Sequence, residues 1–456
     1  MRGFSTLPRA MSQLNPLAEA LNATIDEGAP EIGAMLSSLG RRLYFPKGIL
    51  TQSAEAKIKG KRFNATIGIA TEKGEPMYLP SLHAGLGGAV STAEAYPYAP
   101  PAGRQGLRDA WRTKLLAENP SLEGKSFGMP IVTSAITHGI SLAADLFVDQ
   151  DDVVLLPDQL WGNYRLELEV RLGARVATYP FYDGGGFNHA GLRDAIETHR
   201  KGRDKLVVLL NFPNNPTGYM PTEVEGNAIV ETLRAAAESG LRLVVICDDA
   251  YFGLFYHLGG RSMTESLFGR LTNLHPNLLA VKLDGATKEL FVWGLRCGFM
   301  TLGPGRADTA TPVLEALDAK ARGNIRAVIS NSPQLSQSLV ERALNSSAIA
   351  EERKQKIAVL RERAEEVYRV VRHPRFAESW TLYPFNSGYF MLIRIKGVDA
   401  NALREHLLDA HQVGLISTSK TDLRIAFSCL EVEQVEPLFE TVHQAIGELR
   451  EAAKAS

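Results

Sequence analysis

Residues 242–251 read Arg242-Leu243-Val244-Val245-Ile246-Cys247-Asp248-Asp249-Ala250-Tyr251, an apolar run without polar alternation that ends on two carboxylates. A short run of this kind is the pattern of a strand buried on both faces, as in a parallel sheet covered by helices. Six more short apolar runs follow in the chain, several of them apolar on both faces: Gly128 to Thr133, Asp152 to Pro157, Ala174 to Phe181, Lys205 to Phe212, Leu278 to Leu283 and Cys297 to Leu302. Helix-period segments separate them, so the chain from about Glu75 to Arg322 predicts an α/β domain with a largely parallel sheet. Such sheets bind ligands beyond the carboxyl ends of their strands, which makes the residues after each run the first candidates for function.

Three of those strand ends carry chemistry. The fourth run opens into Asn211-Phe212-Pro213-Asn214-Asn215-Pro216-Thr217-Gly218, a dense set of turn formers. The fifth leaves Asp248 at a buried edge, where a carboxylate needs a cation or hydrogen-bond donors, because burying it unpaired is costly. The sixth is followed by Gly285-Ala286-Thr287-Lys288, with Arg296 eight residues later. Taken singly, the lysine could sit on the surface, the aspartate could cap a strand and the arginine could lie on a helix face.

Around this centre the chain divides into three parts. Residues 1–75 form an N-terminal arm and part of a small domain, with a helical pattern over Pro30 to Leu43 and a loop Asn64-Ala65-Thr66-Ile67-Gly68. Residues 76–325 form the large domain, and 326–456 an interdomain helix followed by a smaller α+β domain. The charged stretch Ser336 to Val371 predicts one long helix. After it come strand-like runs at Gly388 to Ile395 and Asp422 to Ser428, and a last helix from about Val432 to Lys454.

Composition narrows the classes of function. With 456 residues, 45% hydrophobic and 22% charged, the chain can bury a large core, and a formal net charge of −1 points to neither a polyanion nor an acidic membrane as partner. Three cysteines, Cys247, Cys297 and Cys429, fit a reducing compartment better than a disulfide scaffold, so a cytoplasmic setting is expected. The stretch Met1 to Leu14 has no continuous apolar core of the kind a signal peptide needs, and no later run reaches membrane-spanning length. His138 has no His or Cys partner at metal-ligand spacing, and Asp183-Gly184-Gly185-Gly186 lacks the spaced glycines of a dinucleotide loop, so no metal site is expected and the glycine run reads as a loop.

The order Asn215, Asp248, Tyr251, Lys288, Arg296 resembles the class I aminotransferase family, the fold-type I enzymes of pyridoxal 5′-phosphate (PLP) related to aspartate aminotransferase. The resemblance runs from about Tyr98 to the end of the last helix. It implies a large domain with a mostly parallel seven-stranded sheet beside a smaller α+β domain. It also implies that Lys288 carries PLP as a Schiff base and moves the proton of the substrate, with Asp248 against the pyridine nitrogen and Asn215 and Tyr251 on the ring oxygen. Ala135, Ile136 and Thr137 stand in the small-residue phosphate loop, where the family often has glycines, and Arg296 pairs with the phosphate. Gly285 stands where many relatives have a serine that touches the phosphate. Trp161 matches an aromatic stacked on the ring, and Tyr98 one that reaches the phosphate of a neighbouring subunit, which implies a homodimer with shared sites.

On the substrate side, Arg424 resembles the arginine that grips the α-carboxylate, and Gly68 belongs to the same side. Arg326 resembles one that crosses the dimer interface to a distal carboxylate, with Arg322 nearby as an alternative register. The function implied is transfer of an amino group from an L-amino acid, aspartate- or glutamate-like or aromatic, to a 2-oxo acid. The same ring-binding set also serves lyases and decarboxylases. A PLP-binding sensor fused to a DNA-binding unit is a third reading, and no basic helix-turn-helix segment precedes the arm.

Overall fold

The computed structural model describes residues 14–28, 36–44, 49–87, 90–308 and 310–455. All seven predicted runs enter one sheet: β1 (Ile131–Thr133), β2 (Val153–Pro157), β3 (Arg175–Tyr179), β4 (Lys205–Asn211), β5 (Arg242–Asp248), β6 (Leu278–Gly285) and β7 (Gly298–Gly303). Their order across the sheet is β1-β7-β6-β5-β4-β2-β3. Strand β7 runs antiparallel to β1 and β6, and the other neighbours pair in parallel. Every residue of β2 is buried, as is all of β4 after its first residue, which is why these strands carry no polar alternation. In register, Asp248 at the end of β5 stands beside Asn211 on β4 and Leu283 on β6, so three chemically marked strand ends lie side by side.

A second, antiparallel sheet has the order β8-β9-β11-β10, from β8 (Trp380–Leu382), β9 (Phe390–Ile395), β10 (Ile416–Ser417) and β11 (Asp422–Ala426). The two sheets meet at a turn. Gly218 has φ +71°, and a Cβ there would lie 1.9 Å from the carbonyl oxygen of Phe390, so only glycine lets the turn after β4 rest on β9. That contact fixes Asn215 against the strands that carry Arg424.

One expectation about helices needs correction. Ser336 to Val371 is not one helix but two, Gln334–Leu344 and Ser347–Val370. Asn345 turns its Nδ2 back onto the carbonyl of Glu341, and the Ser346 hydroxyl accepts from the N–H of Ile349, so two polar side chains compete with the backbone ladder and end one helix as they cap the next. Within Pro30 to Leu43, residues 30–35 lie outside the described residues, and of the rest Ser38–Arg42 is helical. The helices Pro16–Gly28 and Ile49–Lys59 flank it and had no counterpart in the sequence reading. Among the described residues no helix is long and apolar enough to cross a membrane.

Candidate active site

Eleven of the residues singled out from the sequence line one cleft of about 400 Å³: Gly68, Ala135, Ile136, Thr137, Trp161, Asn215, Asp248, Tyr251, Lys288, Arg296 and Arg424. The large sheet supplies most of them from its strand ends, and β11 supplies Arg424 from the other side. Tyr98 and Arg326 do not line it. Tyr98 is 91% exposed, and Arg326 is exposed at the end of the helix Ala310–Val328, donating to the hydroxyl of Ser330 at 2.6 Å. A separate cavity of about 350 Å³ beside Phe127 and Leu314 carries Arg108 and Arg322, both already paired with Asp318 at 2.9 and 2.7 Å.

Asp248 is buried and held from three sides. The hydroxyl of Tyr164 donates to its Oδ2 at 2.6 Å, the N–H of Ala250 donates to its Oδ1 at 3.0 Å, and Asn211 donates to its main-chain oxygen at 2.8 Å. Burial raises its pKa, against the opposing effects of the Tyr164 bond and the charge of Lys288. Lys288 is the complement. Burial lowers its pKa to about 8, Asp248 works against that shift and Arg296 adds to it. Its Nζ lies 4.7 Å from the ring centroid of Tyr251, whose own pKa burial pushes upward. A lysine in this setting has a sizeable neutral fraction near physiological pH, far above that of an ordinary lysine.

The loop after β1 is built for an anion. Ala135, at φ +62°, opens the helix Ala135–Phe147, and its first turn, whose N–H groups have no partner within the helix, lines the cleft with Ala135, Ile136 and Thr137. The Thr133 hydroxyl donates to the carbonyl of Ala135 at 2.9 Å, and the Ser134 N–H donates to Nδ1 of His138 at 3.0 Å, so His138 closes the loop from behind. Gly298 on β7 passes directly beneath: a Cβ there would come within 2.8 Å of the Ala135 carbonyl carbon. At Gly285 a Cβ would lie 2.9 Å from the carbonyl oxygen of Cys297, so the backbone before β7 fills the space a serine side chain would need. Arg296 is exposed at the rim, and its Nη1 donates to the carbonyl of Trp293 at 3.2 Å.

Arg424 is 2% exposed and makes no ion pair among the described residues. Its Nη1 donates to Oδ1 of Asn215 at 3.1 Å, its Nη2 to the carbonyl of Thr66 at 2.9 Å, and its guanidinium lies 4.2 Å from the ring centroid of Phe390. Burial lowers its pKa to about 10, and its Nε has no partner. A buried guanidinium with an unused donor suits a carboxylate, which would satisfy both its charge and its free N–H. The cleft residues Thr287 and Trp293 likewise each carry a buried polar atom, Oγ1 and Nε1, without a partner.

The sequence reading missed Tyr164, Asn211, Thr287, Trp293, Ile69 and Phe390 as cleft residues. Tyr164 is the most consequential. Its place three residues after Trp161 was legible, but its bond to Asp248 spans 84 residues of chain and depends on the order of strands in the sheet.

A family model described as aminotransferase class I and II matches residues 89–442. The cytoplasmic aspartate aminotransferase of Caenorhabditis elegans is 29% identical over 195 residues, covering 41% of this chain and 46% of that one. The chain thus aligns with less than half the length of this curated relative. Two solved structures share the fold over nearly their whole length. An aminotransferase from Anaerococcus prevotii gives a TM-score of 0.79 at 22% identity, covering 90% of this chain and 98% of its own. The Pyrococcus horikoshii kynurenine aminotransferase, solved in complex with PMP, gives 0.75 at 15% identity, covering 92% and 98%.

Proposed function

The chain belongs to the class I and II aminotransferases, and on that premise we propose that it is a PLP-dependent transaminase moving an amino group from an L-amino acid to a 2-oxo acid. The observation that carries this reading is the convergence in one cleft of a half-buried lysine of lowered pKa, a carboxylate held by Tyr164, and a buried arginine with an unused donor. The donor set fits PLP: Asp248 for the pyridine nitrogen, Lys288 for the aldehyde, and Arg296 with the helix start at Ala135, Ile136 and Thr137 for the phosphate. Trp161 supplies an aromatic face, and Asn215 and Tyr251 supply donors for the ring oxygen. Bound there, PLP supplies a protonated ring that accepts the electron pair left when the Cα–H bond of the substrate breaks.

The roles of the chain's own residues follow from their surroundings. Asp248 must stay ionised to hold a proton on the ring nitrogen, and the Tyr164 hydroxyl favours that state. Lys288, neutral near pH 8, can accept the proton of the substrate Cα on Nζ and return it. Arg424 presents its free Nε and a terminal nitrogen to the α-carboxylate, with Gly68 leaving room beside Phe390 and Tyr251. Because Asn215 accepts from Arg424 through Oδ1, its Nδ2 remains a donor.

The reading extends to a homodimer in which Tyr98 and Arg326 complete the cleft of the neighbouring subunit, and their exposure on their own subunit supports it. Arg326 then favours aspartate- or glutamate-like donors, with aromatic donors as the second class. The division of the chain at residues 75 and 325 sets this cleft between a large and a small domain, and the unpaired Cys247 and Cys297 suit a reducing, cytoplasmic setting. The test is an absorbance screen of half-reactions. The visible band of the PLP enzyme should bleach with an amino acid and return with a 2-oxo acid. A band that bleaches and recovers with no 2-oxo acid sinks the transaminase reading in favour of a lyase or decarboxylase, and an intact band in Lys288→Ala sinks the whole assignment.

A further inference from the structure

Outside the cleft, on the helix Ala400–His411, two histidines turn toward one acid on the helix Val432–Ala455. His406 Nε2 lies 2.6 Å and His411 Nε2 lies 2.8 Å from the same oxygen, Oε2 of Glu448. The three ligand atoms lie within 4.8 Å of one another, and the two rings stand at 81° with centroids 5.4 Å apart, so both present an edge to a common point. We propose that His406, His411 and Glu448 form a binding site for a divalent transition-metal cation of the zinc class, which staples the last two long helices of the chain together.

The donor chemistry favours such a cation. Two imidazole nitrogens and one carboxylate oxygen are the ligands zinc takes when a fourth position is left to water, at bond lengths of about 2.0–2.2 Å. A tetrahedral site with such bonds separates its ligand atoms by about 3.3 Å, so the nitrogens, 2.6 and 2.8 Å from the oxygen, would each part from it by about half an ångström or more. The side chains are 29%, 13% and 38% exposed, which leaves an open side for water and for entry of the ion.

Charge points the same way. Among the described residues no lysine or arginine pairs with Glu448, whose partners are the two histidines and Gln444. Glu448 supplies the carboxylate of the three, its Oε2 taking hydrogen bonds from both rings. The Nε2–H protons in those bonds can move to Nδ1 or leave, turning both nitrogens into lone-pair donors, as metal binding requires. Gln444 donates to the other oxygen, Oε1, at 2.8 Å and so fixes the plane of the carboxylate, as outer partners of metal ligands do. The backbone is equally fixed. Gln412, at φ +57°, ends the first helix directly after His411, and Leu403, Leu407, Val442, Ala445 and Ile446 are buried beneath the two helices.

The test uses the PLP-loaded enzyme, stripped of metals with a chelator and titrated with zinc chloride by calorimetry. The wild type should take up zinc from micromolar solution and melt at a higher temperature with it. Changes in outer partners alone cost about 10–100-fold in affinity, so His411→Gln and Glu448→Gln, which each remove a ligand, should weaken zinc at least about tenfold. Both should leave the amino-transfer rate as in wild type, and His406→Gln repeats the test should either variant fold poorly. A wild type that takes up no zinc from micromolar solution, or variants that bind it as tightly as the wild type, overturns the proposal and leaves the cluster a hydrogen-bonded clamp.

Discussion

Tyr164→Phe isolates one hydroxyl. Tyr164 is buried, its ring packs edge-on against Trp161 with centroids 5.6 Å apart, and the variant keeps that packing while removing the 2.6 Å bond to Asp248. A hydrogen bond to a charged group contributes about 1.5–3 kcal/mol, and one pKa unit corresponds to about 1.4 kcal/mol. Asp248 already has a raised pKa from burial, and the Tyr164 bond is among the effects that pull it down. The variant therefore raises that pKa further. The protonated acid cannot hold a pyridinium, so the loss appears on the acid side. In a profile of kcat/KM against pH the acid limb should move up by about 1–2 units, while the alkaline plateau stays within a few-fold of wild type. The affinity for PLP should fall more steeply than in wild type as pH drops and recover as pH rises. Profiles and PLP titrations at acid and alkaline pH measure both. A uniform fall at every pH with the acid limb unmoved would refute the reasoning, because it would mean that Tyr164 acts through packing and not through the ionisation of Asp248.

Lys288 titrates near 8 in the protein free of PLP, and only its neutral form attacks an aldehyde, so the rate of PLP uptake should climb with pH and level off above about 8. Uptake still rising steeply toward pH 10 would mean that the lysine is not desolvated. Mixing Lys288→Ala with Arg326→Leu tests the shared site: if Arg326 acts across a dimer, hybrids restore one wild-type cleft each, so roughly a quarter of all sites turn over dicarboxylates. No recovery on mixing would place Arg326 in its own subunit's chemistry or outside it altogether. Gly298→Ala puts a Cβ against Ala135 and should cost about 1–3 kcal/mol of stability, with weaker retention of PLP measured by dialysis. A variant that melts and retains PLP as wild type does would contradict the close packing under the phosphate loop.

What the sequence made legible and what it did not differ by physical cause. A strand buried between helix layers must be apolar over its whole length, a property written locally, so seven runs and their carboxyl ends could be read directly, and with them Asn215, Asp248 and Lys288. Helix ends were less legible, because one serine that caps the next helix breaks Ser336 to Val371 without disturbing its charge pattern. Least legible were partnerships across the fold. Arg424 reaches Asn215 over 209 residues and Tyr164 reaches Asp248 over 84. No periodicity encodes such pairs; they follow from strand order, which itself rests on which loops can cross.

The same distinction explains why His406, His411 and Glu448 escaped a reading that expected no metal site. Metal motifs are recognisable when a single turn or hairpin holds the ligands, since the spacing is then fixed by local geometry. Here the second helix begins 21 residues after the first ends, and its acid meets the histidines only because both helices pack on one apolar layer. Glu448 sits three residues after Ala445 and two after Ile446, which are buried, so the hydrophobic stripe that seats the helix also sets the direction of its carboxylate. Moving that stripe by one position would turn the acid by about 100° around the helix and separate it from both rings. The core that stabilises the C-terminal part therefore also decides whether the three ligands converge, although none of the core residues belongs to any motif.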